Sequence, residues 1–159
     1  MQNFFVRVKK DVPFIFDLLV SVDVVAITTW SSSQTAEVSD GVSSGIVRWF
    51  LLYLPGEYTS DTVALLDHLL RKAAHFTLYF ILGCSLTGCY QRQRRIPTAL
   101  AVLLTGTALA GLDEFHQMFV DGRGPSLSDV FLDTCGVVVG CLLRMALRRR
   151  SRRAQEVRK

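Results

Sequence analysis

The sequence predicts an all-α polytopic membrane protein, with four transmembrane helices and an interfacial helical segment in the first outer loop. Three observations carry that expectation. Half of the 159 residues are hydrophobic and mean hydropathy is +0.30. That excludes a disordered chain, which is poor in apolar residues, and it sits badly with a soluble enzyme. The 18 basic and 14 acidic residues are segregated along the chain rather than spread through it. The stretches left between them reach the roughly 20 apolar residues that a membrane-spanning helix needs.

Helix one is expected at about 12–30. Its run is apolar except for Asp17 and Asp23, and an Asp at the centre of a span costs about 2.5–3.5 kcal/mol on insertion scales. A cleaved signal peptide is the rival, with Arg7, Lys9 and Lys10 as its basic start. The two Asp interrupt the apolar region that a signal needs, and no clean small-residue cleavage site follows. The segment is therefore read as an uncleaved helix.

Residues 31–67 form a loop in two parts. The first, with Ser31, Ser32, Ser33, Gln34, Ser39, Ser43 and Ser44, is polar and turn-rich. The second, 46–54, is apolar with Trp49 and Tyr53. Such rings favour the headgroup level, so this part reads as an interfacial helix. Another helix is expected to start near Ser60, with Ser60 as N-cap and Asp61 in the first turn. It runs through Asp67 and His68 into helix two, at about 68–90.

Helix three is expected at 96–118. Residues 96–112 hold no charge, and Thr and Gly are their only relief, all round the helix. A helix of a soluble bundle would show a polar stripe there. Helix four is expected at 127–147, where 130–143 holds only Asp133. Gly136 and Gly140 form a GxxxG pattern on it, which permits close helix contact. Residues 1–147 thus read as one membrane domain and 148–159 as a basic tail. Cys84, Cys89, Cys135 and Cys141 show neither CxxC nor zinc spacing, and read as small packing residues.

Fourteen of the eighteen basic residues fall at the N-terminus, in the second loop and at the C-terminus. In a four-helix protein these lie on one side, and Lys/Arg excess marks the cytoplasm. Both termini are therefore expected inside. The basic tail reads as a stop-transfer flank that meets anionic lipid headgroups, and no nucleic-acid partner is expected.

Ionisable residues inside membrane helices usually have a use, and here they gather at one level. Arg71 and His75 share a face of helix two at i,i+4. Asp113, Glu114, His116 and Gln117 close helix three, the outer loop supplies Arg123, and Ser126, Ser128 and Asp129 open helix four. Ion pairs that hold the helices in register, such as Arg71 with Asp113 or Arg123 with Asp129, would explain single residues. The whole collection exceeds what packing needs and suggests binding or chemistry. Arg71, Arg123 and His75 suit a phosphate or carboxylate, because Arg presents a bidentate fork. No HExxH or comparable spacing supports a metal, no GxSxG elbow supports serine hydrolysis, and no cofactor is expected.

Four runs in the chain, SSSQ at 31–34, RKAAHFTLY at 71–79, LDEFHQMFVDGRGPSLSDV at 112–130 and DTCGVVVG at 133–140, together resemble the VanZ-like family of bacterial membrane proteins. Asp133 stands where an Asn is more usual in that family, and the first helix is usually free of acids such as Asp17 and Asp23. The resemblance implies a multi-pass protein of the bacterial cytoplasmic membrane and cell envelope, in a family whose founding member is associated with teicoplanin resistance. It marks Arg71, His75, Asp113, Glu114, His116, Gln117, Arg123 and Asp129 as motif positions. Arg71, His75, Gln117, Arg123 and Asp129 are then expected to bind a ligand, and Asp113, Glu114 and His116 to orient it or perform acid–base work. Expected partners are membrane lipid and a lipid-linked envelope precursor or glycopeptide. Two alternatives stand beside this reading: a transferase or hydrolase of lipid-linked phosphate, and a structural subunit docking another membrane protein.

Overall fold

The computed structural model describes the backbone of residues 2–91 and 96–157, and the side chains of residues 12–91 and 96–157. Arg7, Lys9, Lys10, Arg92, Arg94, Arg95, Arg158 and Lys159, on which much of the expected orientation rests, lie outside the described side chains. The described residues form five helices and no strand: α1 Gln2–Ser32, α2 Ala36–Leu51, α3 Ser60–Tyr90, α4 Thr98–Gln117 and α5 Leu127–Glu156. Among the described residues three helical segments are long and apolar enough to cross a membrane: Val12–Ser32, Thr98–Gln117 and Leu127–Glu156. α3 is as long as α1, but Asp61, Asp67, Arg71 and Lys72 crowd its first half.

Three local features differ from the sequence reading. The serine-rich stretch after residue 35 is helical rather than turn-rich. Thr35 caps α2 by accepting from the Val38 amide, and Ser43, Val47 and Leu51 then fall at i,i+4 spacing on its buried face. α3 is one helix from Ser60 to Tyr90, and Thr59 rather than Ser60 is its N-cap, accepting from the Thr62 amide at 3.3 Å. α5 continues beyond residue 147, so the described part of the basic tail is helical.

The side-chain distribution is inverted relative to a soluble bundle. Trp30, Phe119 and Phe131 are 69–74% exposed, and Phe16, Leu104 and Leu142 also face outward. Asp17, Ser32, Thr87, Asp113, Glu114 and Asp133 are buried. Water would favour the reverse arrangement, and a continuous apolar exterior of this kind marks a surface that meets another apolar phase. Hydroxyls tie the helices together inside. Ser21 donates to Ser85 at 2.8 Å between α1 and α3, and Tyr90 and Thr105 share a 2.9 Å hydrogen bond between α3 and α4.

α3 is the hub, packing against all four other helices, and its widest contact is with α5. Glycines set that contact. A Cβ at Gly136 would lie 2.7 Å from the Phe76 carbonyl oxygen, one at Gly140 2.1 Å from that of Phe80, and one at Gly83 2.2 Å from that of Val137. The backbones therefore meet without side chains between them, as the GxxxG spacing led one to expect. The two helices run in the same direction. Going along both, Lys72 meets Asp129, His75 meets Asp133, and Phe80 meets Gly140. At the far end of this seam Arg144 reaches Asp17 of α1 beside Gly88.

Candidate functional site

Where the α1–α2 turn, the first half of α3 and the α4–α5 loop come together, they enclose a cavity of about 350 Å³. Every element contributes to its wall. Ser31, Ser39 and Asp40 come from α1 and α2, and His68, Arg71, Lys72 and His75 from α3. Glu114 and Gln117 come from α4, Arg123 from the loop, and Asp129 and Asp133 from α5.

The loop is shaped by Gly122, whose φ of +76° lies in the left-handed region that side-chain-bearing residues rarely adopt. A Cβ there would also press on Ala36 at 3.0 Å. The Ala36 amide donates to the Asp121 carbonyl at 3.3 Å, which ties the start of α2 to this loop. The tight turn delivers Arg123 to the cavity wall. Glu114 holds the other side of the loop, accepting from the Ser126 amide at 2.7 Å.

Most of the charges are paired, but not as the sequence suggested. Arg71 meets Asp40 of α2 and, at 3.3 Å, Asp67 one turn earlier on its own helix, rather than Asp113. Asp129 meets Lys72 at 2.5 Å rather than Arg123. Among the described residues the Arg123 guanidinium makes no ion pair. Burial, and after it the like charge of Arg71, lower the Arg123 pKa from its ordinary value, while Asp40, Asp113 and Glu114 act in the other direction.

Beneath the cavity lies a buried polar layer. Ser32, which has no exposed surface, donates to Asp113 Oδ2 at 2.8 Å. The Gln117 amide group reaches both Asp113 Oδ2 and Ser32 Oγ at 3.3 Å. His75 Nδ1 stands 3.6 Å from Asp133 Oδ2, and Asp133 Oδ1 is buried without a hydrogen-bond partner. The SSSQ run thus has a local reason: its second serine orients the first acid of the Asp-Glu-x-His-Gln run, 81 residues away.

Of the residues expected at the site, Arg71, His75, Glu114, Gln117, Arg123 and Asp129 line this one cavity. Asp113 sits below it, in the buried layer. His116 does not join them. It is exposed and lines a different groove, among α1, α3 and α4, which Thr28, Thr29, Tyr79 and Asp113 also line. Residues 113, 114 and 117 share the buried face of α4, and position 116 projects past its edge. Lys72, Asp133, Asp40 and Asp67 were not among the expected site residues. Asp67 had a signal in its i,i+4 spacing to Arg71. Asp40 had none while its segment was read as turns.

A family model described as VanZ/LLP1 matches residues 16–148. No curated protein and no solved structure matched the chain.

Proposed function

This chain belongs to the VanZ/LLP1 family, and from that premise we propose that it binds or modifies a lipid-linked or anionic envelope component at the outer leaflet. In this reading α1 from Val12 onward, the second half of α3, α4 and α5 are four spans of a bacterial cytoplasmic membrane, with both termini inside. The exposed side of α2, with Val42, Ile46, Trp49 and Phe50, lies along the headgroups as an interfacial helix. The charged cavity then opens at the depth of a lipid headgroup, and the basic end of α5 meets the cytoplasmic leaflet.

The observation that carries the reading is the Arg123 guanidinium, partly buried in the cavity wall and without an ion pair among the described residues. A guanidinium left without an acid in the wall of a cavity favours an anion, and its fork suits phosphate. The carboxylates of Asp40, Glu114 and Asp129 in the same wall accept hydrogen bonds, so hydroxyl groups next to the phosphate would also be held. A phosphorylated sugar on a lipid carrier combines both features. A contribution to teicoplanin resistance would follow if that component is a cell-wall precursor.

One observation favours an enzyme as the second reading, a transferase or hydrolase of lipid-linked phosphate. Glu114 uses Oε2 for the Ser126 amide and lines the cavity, so its other oxygen is placed for general-base work. Expression of wild-type protein and of the Arg123→Ala and Glu114→Gln variants at equal membrane levels tests both readings. Labelled lipid-linked precursors and teicoplanin susceptibility are followed in parallel. Loss of both effects in Arg123→Ala is expected, and wild-type behaviour in that variant would sink the binding role. Loss of precursor turnover by about 10²–10⁴-fold in Glu114→Gln, with binding retained, would make the protein an enzyme.

A further inference from the structure

We propose that His75, Asp113 and Asp133 form a binding site for one divalent transition-metal ion in the floor of the cavity, a site independent of whether a lipid phosphate binds above it. Each residue comes from a different helix: α3, α4 and α5. Each offers one ligand atom, and these atoms lie within 4.8 Å of one another. Zinc–nitrogen and zinc–oxygen bonds of about 2.0–2.2 Å allow ligand atoms no more than about 4.4 Å apart, so small side-chain rotations close the site.

A second, independent observation points to a ligand. Asp133 is 1% exposed and its Oδ1 has no hydrogen-bond partner. Buried polar atoms are almost always satisfied, and a buried carboxylate oxygen is among the costliest to leave alone. Charge leads to the same place. Arg71 is engaged by Asp40 and Asp67, and Lys72 by Asp129. Neither Asp113 nor Asp133 forms an ion pair with Lys or Arg among the described residues. Two buried carboxylates and a neutral imidazole are balanced by one ion of charge two. A protonated His75 would balance only one of them.

The donor set selects the class of ion. One imidazole and two carboxylates suit zinc, manganese, iron(II) or cobalt. Calcium and magnesium prefer oxygen alone. Three protein ligands leave a further position, and two of the three, His75 and Asp133, line the cavity. Outer partners are in place: Ser32 and Gln117 both hydrogen-bond Asp113 Oδ2, the kind of support that orients metal-bound carboxylates. No motif spacing revealed the site because no two of its ligands share a helix.

The full chain, purified in detergent, stripped with a chelator and dialysed, is titrated with Co²⁺ while its visible ligand-field absorption is followed. Zn²⁺ is then added in competition. The expected result is one equivalent of Co²⁺ bound and displaced by Zn²⁺. His75→Ala and Asp113→Asn remove the stoichiometric site, and Ser32→Ala weakens it by about 10–100-fold. Size-exclusion profile and tryptophan fluorescence check the fold. If His75→Ala does not fold, Asp133→Asn, which preserves shape, replaces it and is expected to weaken Co²⁺ binding at least tenfold. Absence of a stoichiometric site in the wild type would overturn the proposal. So would affinity equal to wild type in the folded ligand variants, since the ion would then sit elsewhere.

Discussion

Two charged clusters, each with buried acids, lie at opposite ends of the α3–α5 seam, and they are built differently. At one end Arg144 forms two parallel hydrogen bonds to Asp17, both 2.7 Å, and every oxygen of that carboxylate is used. Gly88 leaves the room for it, since a Cβ there would lie 2.0 Å from Asp17 Oδ2. No cavity needs to form around so complete a pair. At the other end five elements converge on a cavity, and among the described residues the Arg123 guanidinium makes no ion pair and one buried oxygen of Asp133 has no hydrogen-bond partner. On the proposed function, the first kind of charge holds helices and the second is kept for a ligand. At the first end the charge is consumed by its neighbours, and at the second some of it is left over.

The comparison breaks most sharply at Arg144. Arg144→Ala strands the buried Asp17 carboxylate and is expected to destabilise the protein by up to about 3–5 kcal/mol, read as thermal unfolding in detergent. The double variant Asp17→Leu with Arg144→Met should recover most of that loss, because a buried pair can be exchanged for apolar packing. If the double variant is no better than the single, the pair is more than a structural link.

Gly140→Val probes what the two ends share. Its side chain would drive into the Phe80 carbonyl and push α5 from α3, costing about 1–3 kcal/mol. Because α5 carries Asp129 and Asp133 above that point and Arg144 below it, stability and ligand binding should fall together. Unchanged thermal stability would mean that the seam is not tight. The smallest effect is expected at Asp129→Asn. Lys72 and Asp129 are each about a third exposed, and such pairs contribute roughly 0.2–1 kcal/mol. A loss well above that range would move this pair from the cavity wall into the structural class.

Much of this was legible in the sequence. The long apolar runs mark α1, α4 and α5 because apolar length is a local property. The GxxxG pattern marks the α3–α5 seam because one helix alone displays it. The motif runs placed Arg71, His75, Glu114, Gln117, Arg123 and Asp129 at one level, and all six line the cavity. What was hidden depends on rotation and on partners. About 100° per residue put His116 on the same half-turn as Asp113 and Glu114, but packing buries only 113, 114 and 117. Asp17 looked like a flaw in the first helix because its partner is 127 residues away. The first part of α2, before residue 46, was obscured because serines and glycines, poor helix formers, occupy a helix that is held by its contact with α3.

The central claim is that the Arg123 end is a ligand site and the Arg144 end is not. The most direct measurement is the affinity of a polyprenyl phosphate for wild type, Arg123→Ala and the Asp17→Leu/Arg144→Met double variant, by native mass spectrometry from detergent. Arg123→Ala is expected to keep its stability within about 0.5 kcal/mol and to lose at least about tenfold in affinity, the worth of a hydrogen bond to a charged group. Wild-type affinity is expected for the double variant. Equal affinity in wild type and Arg123→Ala would contradict the claim, as would loss of affinity in a folded Asp17→Leu/Arg144→Met variant alone.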